Sequence, residues 1–172
     1  YDSPLKMHVF NRARLIKNSN NRIPYGVDLI QKYKRESWIV FTENKKQAKE
    51  FNKIINTKGF KSALYNTDLD SAERLENLNK FKKADLNVLV TCTALDEGFD
   101  MPEADGALIL SASSSKRQRV QRMGRVLRIT ENKPNALIVT VYSSKTEFDK
   151  LMEEAKRYHK EGVPVSWKRQ DR

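Results

Sequence analysis

The chain has 172 residues, and Lys+Arg 33 against Asp+Glu 22 gives a formal net charge of +11. That length fits one domain with a sizeable core, and the positive surplus points to a polyanionic partner, most simply nucleic acid. Cys92 is the only cysteine, which excludes an intramolecular disulfide and suits a reducing compartment. His8 and His159 lie in no metal-ligand spacing, and no apolar run resembles a secretion signal or approaches the ~20 residues of a membrane span.

Residues 1–35 are expected to be mostly helical or linker, with Pro24 near a helix start. Trp38–Phe41 is a short apolar strand. Residues 45–58 set Ala48, Phe51, Ile54 and Ile55 on one face, which predicts a helix stopped at Gly59. Lys45, Lys46, Lys49, Lys53, Lys58 and Lys61 face Glu50 as the one acid over 45–61. A short strand follows at 62–65, and Asp70 with Glu73 spells a capping box opening a helix over 72–83. Val88–Thr91 is an apolar, β-branched run of the buried parallel type. Strands over 107–110 and Ala136–Tyr142 come next, with an arginine-rich stretch between them. A helix over 147–159 precedes a tail without clear period. The alternation predicts an α/β fold with a parallel sheet covered on both faces. The expected organisation is a helical or linker segment over 1–35, a domain over 36–160 and a tail over 161–172.

Residues 116–128 hold Lys116, Arg117, Arg119, Arg122, Arg125 and Arg128 and no acid. On a helix each residue advances ~100°, so Arg125 and Arg128 would sit about 60° apart. Two guanidinium forks can then converge on one phosphate. Val120, Met123 and Leu127 form an apolar stripe for docking. A solvated basic face or a membrane-surface helix shares this composition. The upstream context decides: the strand ending at Thr91 runs into Thr93, Asp96, Glu97, Gly98 and Asp100. Sites in open α/β sheets form past the carboxyl ends of strands.

Residues 88–102 and 121–128 together resemble motifs V and VI of superfamily-two helicases, and 38–44 resembles motif IV. Arg74, Leu75, Leu78 and Phe81 resemble the helix that follows motif IV. Glu97-Gly98-Phe99-Asp100-x-Pro102 and Gln121-Arg122-x-Gly124-Arg125-x-Leu127-Arg128 are similar to the wording in transcription-repair helicases and in motor subunits of type I and III restriction enzymes. The resemblance covers roughly residues 36–142. It implies a RecA-like sheet sandwiched between helices, the second domain of a P-loop-type motor. It also implies Arg125 and Arg128 as arginine fingers, with Gln121 orienting them or touching phosphate. Gly98 and Asp100 would contact nucleotide, Asp100 as acceptor for a ribose hydroxyl. Thr42, Asn66, Thr91 and Thr93 would touch the nucleic-acid backbone; alignment from Gly98 places Cys92 where some relatives carry the contacting threonine, which leaves the choice among Thr91, Cys92 and Thr93 open. Other roles stay open: a salt bridge for Arg128 or Asp100, a surface amide for Gln121, a plain turn for Gly98, and turn or cap groups for the rest.

No Gly-x-x-x-x-Gly-Lys-Ser/Thr occurs, and no Asp-Glu-x-Asp/His follows a strand. ATP and Mg2+ would therefore be held mainly by a first RecA-like domain. The chain begins at Tyr1, as an excised or processed fragment would. The expectation is the second motor domain of an ATP-dependent DNA helicase or translocase, inactive alone and partnered by DNA and by that first domain, with no membrane association. Its expected place is the cytoplasm, with the nucleoid, or the nucleus, and it is not secreted. A stand-alone nucleic-acid or protein binding module and an RNA helicase domain are the alternatives.

Overall fold

The computed structural model describes residues 8–14, 22–92, 102–111, 136–162 and 164–169. In chain order the elements are β1 (His8–Arg14), α1 (Arg22–Lys32), β2 (Trp38–Phe41), α2 (Lys45–Thr57), β3 (Ser62–Leu64) and α3 (Ser71–Lys82). β4 (Val88–Thr91), β5 (Gly106–Ile109), β6 (Ala136–Tyr142), α4 (Lys145–Lys160) and β7 (Val165–Arg169) follow. One seven-stranded sheet runs β3-β4-β2-β5-β6-β1-β7, and all its pairings are parallel.

Every residue of β2, β4, β5 and β6 is buried, which is why these strands read as unbroken apolar runs. Side-chain alternation divides them between two cores. Trp38 and Val40, Val88 and Val90, Leu108, and Val139 face α1 and α2, where Val27, Ile30, Ala48, Phe51 and Ile55 pack. Ile39 and Phe41, Leu89, Ala107 and Ile109, and Ile138 face the other side, where Leu78 and Phe81 of α3 and Tyr158 of α4 pack. Gly106 on β5 lies opposite Trp38 on β2, and a Cβ there would meet the indole at 2.6 Å.

Caps fix where the helices start. Asn44 accepts from the Gln47 N–H (2.9 Å) and Asp70 from the Glu73 N–H (2.7 Å). Ser144 and Glu147 form a reciprocal capping box at α4. α2 stops as expected before Gly59, whose φ of +88° suits a residue without Cβ.

The two ends of the chain differ from the sequence expectation. Residues 8–14, expected as helix or linker, form β1 between β6 and β7, and α1 is the one helix among the described residues of the first 35. Residues 165–169, expected as a tail without period, form β7. Both strands interrupt their apolar residues with Asn11, Arg12, Arg14, Lys168 and Arg169, and their pairing partners are distant in sequence. The sheet thus extends beyond the expected limits of 36 and 160 on both sides.

Candidate nucleic-acid interface

β3, β4 and β2 are adjacent, so their carboxyl ends form one rim. Thr42 follows β2, Thr91 closes β4, and Asn66 lies two residues past β3. The Thr42 N–H donates to the Thr91 carbonyl at 2.9 Å. Its hydroxyl lies 3.4 Å from the same carbonyl and 3.2 Å from the Asn44 carbonyl. The Cys92 N–H donates to Asn66 Oδ1 at 3.0 Å. The Thr91–Cys92 peptide is therefore held at its carbonyl from the β2 side and at its amide from the β3 side. Thr42, Asn66 and Thr91 are all buried.

The structure thus brings these three predicted residues together, beneath the surface rather than on it. Asn66 Nδ2 is buried and has no partner among the described residues. An unsatisfied buried donor of this kind costs about 1–3 kcal/mol, so it calls for an acceptor. Beside the rim, the N-terminus of α2 exposes Lys45 and Lys46. Helix N-termini favour anions through their free N–H groups and dipole. Lys49 pairs with Asp68 at 3.0 Å, and the hydrogen bond from Lys49 holds the Asp68 carboxyl below its ordinary value. That pair is on the surface and contributes little stability.

The ends of β5 and β6 carry a second set of contacts. Arg22 is buried, and its guanidinium donates to the Leu110 carbonyl (3.2 Å), the Val141 carbonyl (3.0 Å), Ser143 Oγ (2.7 Å) and both Glu147 oxygens (2.6 Å). Burial pushes the Glu147 carboxyl up, but the Ser143 N–H, Arg22 and the Ser144 N–H outweigh it and hold the group below its ordinary value. The Ser111 hydroxyl donates to the Glu43 carboxylate.

Sequence reasoning missed Arg22, Glu43, Ser111 and Glu147. Ser144-x-x-Glu147 is a capping-box spelling that was available. Nothing local marks Arg22 as buried, because its side-chain partners lie 88 to 125 residues away. Thr93, Gly98, Asp100, Gln121, Arg125 and Arg128 lie outside the described residues. No helix among the described residues is long and apolar enough to cross a membrane.

A parallel sheet between helix layers with polar groups at its carboxyl rim is an open α/β architecture, here of the RecA-like kind. The structure is similar to the C-terminal domain of the DEAD-box protein Dbp5, with a TM-score of 0.78 at 17% identity, over 97% of this chain and 92% of that one. The chain belongs to the helicase conserved C-terminal domain family, whose pattern matches residues 21–130. It is 36% identical over 129 residues to the DNA 3'-5' translocase XPB2 of Sulfurisphaera tokodaii, covering 75% of this chain and 28% of that protein. It is 26% identical over 131 residues to the ATP-dependent rRNA helicase RRP3 of Scheffersomyces stipitis, covering 76% of this chain and 27% of that protein. The chain thus spans just over a quarter of the length of these curated relatives.

Proposed function

We propose that this chain serves as the second motor domain of an ATP-driven helicase or translocase acting on DNA. The observation that carries the reading is the rim of Thr42, Thr91 and Asn66, with a spare amide donor on Asn66 beside the exposed lysines that open α2. Hydroxyls, amides and lysines hold phosphates without reading sequence. Such a grip is salt-dependent and largely indifferent to base order. In this reading Thr42, Thr91 and Asn66 shape the rim from beneath its surface, the lysines that open α2 meet the strand, and Thr93 adds a hydroxyl.

In this reading ATP and Mg2+ are held mainly by a domain outside this chain. The sequence has no phosphate-cradling loop, and no group of three or more His, Cys, Asp or Glu among the described residues could hold a metal. A first RecA-like domain would hold both. Arg125 and Arg128 would supply cations that stabilise the charge spreading over the departing phosphoryl oxygens, with Gln121 orienting them and Gly98 and Asp100 lining the nucleotide. The name of the XPB2 relative favours DNA; that of RRP3 keeps an RNA-directed motor as the second reading.

The test is the ATPase of the full-length protein with and without single-stranded DNA and RNA, beside Arg125→Ala and Arg128→Ala. Loss of a finger should lower the rate by about 10³ or more while nucleic-acid binding persists. Near-normal hydrolysis in either variant would remove the finger assignment. A folded protein that binds nucleic acid and never hydrolyses ATP would instead be a binding module.

A further inference from the structure

β3 is an edge strand, with β4 on one side and no strand of the sheet on the other. Its bonds to β4 fix which of its groups face outward. The Val88 N–H donates to the Lys61 carbonyl at 3.2 Å, and the Tyr65 N–H donates to the Val90 carbonyl at 2.8 Å. Alternate residues of a parallel strand bond to the same neighbour, so Ser62 and Leu64 turn their N–H and C=O groups to the open side. An open row of this kind is a template for another strand.

Side chains from both flanking helices occupy that row. The Ser62 N–H donates to Asn56 Oδ1 at 3.1 Å, and Asn56 Nδ2 lies 3.4 Å from the Ser62 carbonyl. One amide thus offers Ser62 an acceptor and a donor, as the peptide of a neighbouring strand would. The same Nδ2 donates to the Asn52 carbonyl at 2.8 Å, which anchors the amide within α2. From α3, Asn77 Nδ2 donates to the Leu64 carbonyl at 3.0 Å. Asparagine is a poor helix former, yet Asn56 lies in the last turn of α2 and Asn77 in the middle of α3. Their bonds to β3 give both a role that helix formation does not. Lys58 and Lys61, both exposed, precede Ser62. Two copies meeting at this edge would bring these like charges together.

We propose that Asn56 and Asn77 close the β3 edge against strand addition by a second copy of this chain. With the amides removed, Ser62 and Leu64 can pair antiparallel with the same residues of another copy across a two-fold axis.

The experiment follows the mass of the full-length protein by light scattering over a concentration series. It compares the parent, Asn56→Ala, Asn77→Ala, the double variant, and the double variant carrying Ser62→Pro, with circular dichroism to show that each is folded. The double variant should self-associate at least about tenfold more strongly than the parent, and each single variant should show part of that rise. High salt should strengthen the association further by screening the lysines. Ser62→Pro removes an outward donor and leaves the ladder to β4, so it should return the double variant to the parent's mass. Amide exchange at Ser62 is a second readout that does not need the double variant to fold. It should be slow in the parent and about tenfold faster in Asn56→Ala. Folded variants that stay as monomeric as the parent would overturn the proposal, and the amides would then serve only to join β3 to its helices. Association that ignores Ser62→Pro, or a parent Ser62 amide that exchanges as freely as an open one, would overturn it as well.

Discussion

Arg22 carries a charge that the fold keeps out of water, and the surrounding acceptors explain how. Its planar fork reaches two main-chain carbonyls, a hydroxyl and a carboxylate together, a geometry that a lysine ammonium cannot reproduce. Arg22→Met should destabilise the domain by up to about 3 kcal/mol, because it leaves the half-buried Glu147 carboxylate without its cation. Chemical denaturation of the full-length protein and the variant measures this. Arg22→Lys should recover only part of the loss. Glu147 makes the same pair pH-sensitive. Its folded pKa lies below the ordinary 4.5, so its stabilising contribution is complete above that value. The contribution is lost as pH falls from 4.5 through the lower folded value. Glu147→Gln should therefore flatten the stability profile in that acid window. Parallel profiles for parent and variant would show that the carboxylate is not what acid removes.

At the scale of elements, the Trp38 indole of β2 can lie against the paired position on β5 because Gly106 has no side chain there. A Cβ at Gly106 would meet indole atoms at 2.6, 2.7 and 2.8 Å, and Trp38 is 1% exposed with no room to turn. Gly106→Ala should cost about 1–3 kcal/mol through overpacking. Combining it with Trp38→Phe should cost less than the sum of the single changes, which a double-mutant cycle in denaturant resolves. The central elements were legible because their signals are local. Runs such as Val88-Leu89-Val90-Thr91, short and β-branched, read as strands buried on both faces, and Asn44, Asp70 and Gly59 mark helix ends with their own side chains or backbone. β1 and β7 were not legible, since Asn11, Arg12 and Lys168 become strand residues only through pairing that the sequence does not display. The site divides in the same way. Thr42, Thr91 and Asn66 could be placed at the rim from sequence because they lie at or just past the ends of readable strands, whereas Glu43, Ser111 and Arg22 are bonded to partners far along the chain.

At the scale of the whole sheet, one wing is built from β1 and β7. The family pattern over residues 21–130 contains β2 to β5, while β6, β1 and β7 lie outside it. β1 is set between β6 and β7: Phe10 to Arg14 pair with residues 138–142 on one side and with Val165–Arg169 on the other. Pairing in this wing is therefore sequential in space although not in sequence. β7 reaches the sheet only through β1, whereas β1 reaches it directly through β6. The two strands should respond unequally to removal. Replacing residues 8–14 with a Gly/Ser linker leaves β7 without its neighbour, so amide exchange protection over Val165–Arg169 should vanish. Replacing residues 164–169 should leave β1 protected by its ladder with β6. The packing of Trp167 against Tyr142 and Phe148, with ring centroids 6.3 and 5.2 Å apart, opposes complete release of β7 in the first case. Side-chain contact alone does not satisfy backbone amides, however, so their exchange should still accelerate. Hydrogen exchange read strand by strand in the full-length protein separates these outcomes. Retained protection of β7 without β1 would mean that the aromatic cluster, not the parallel ladder, holds this end of the sheet.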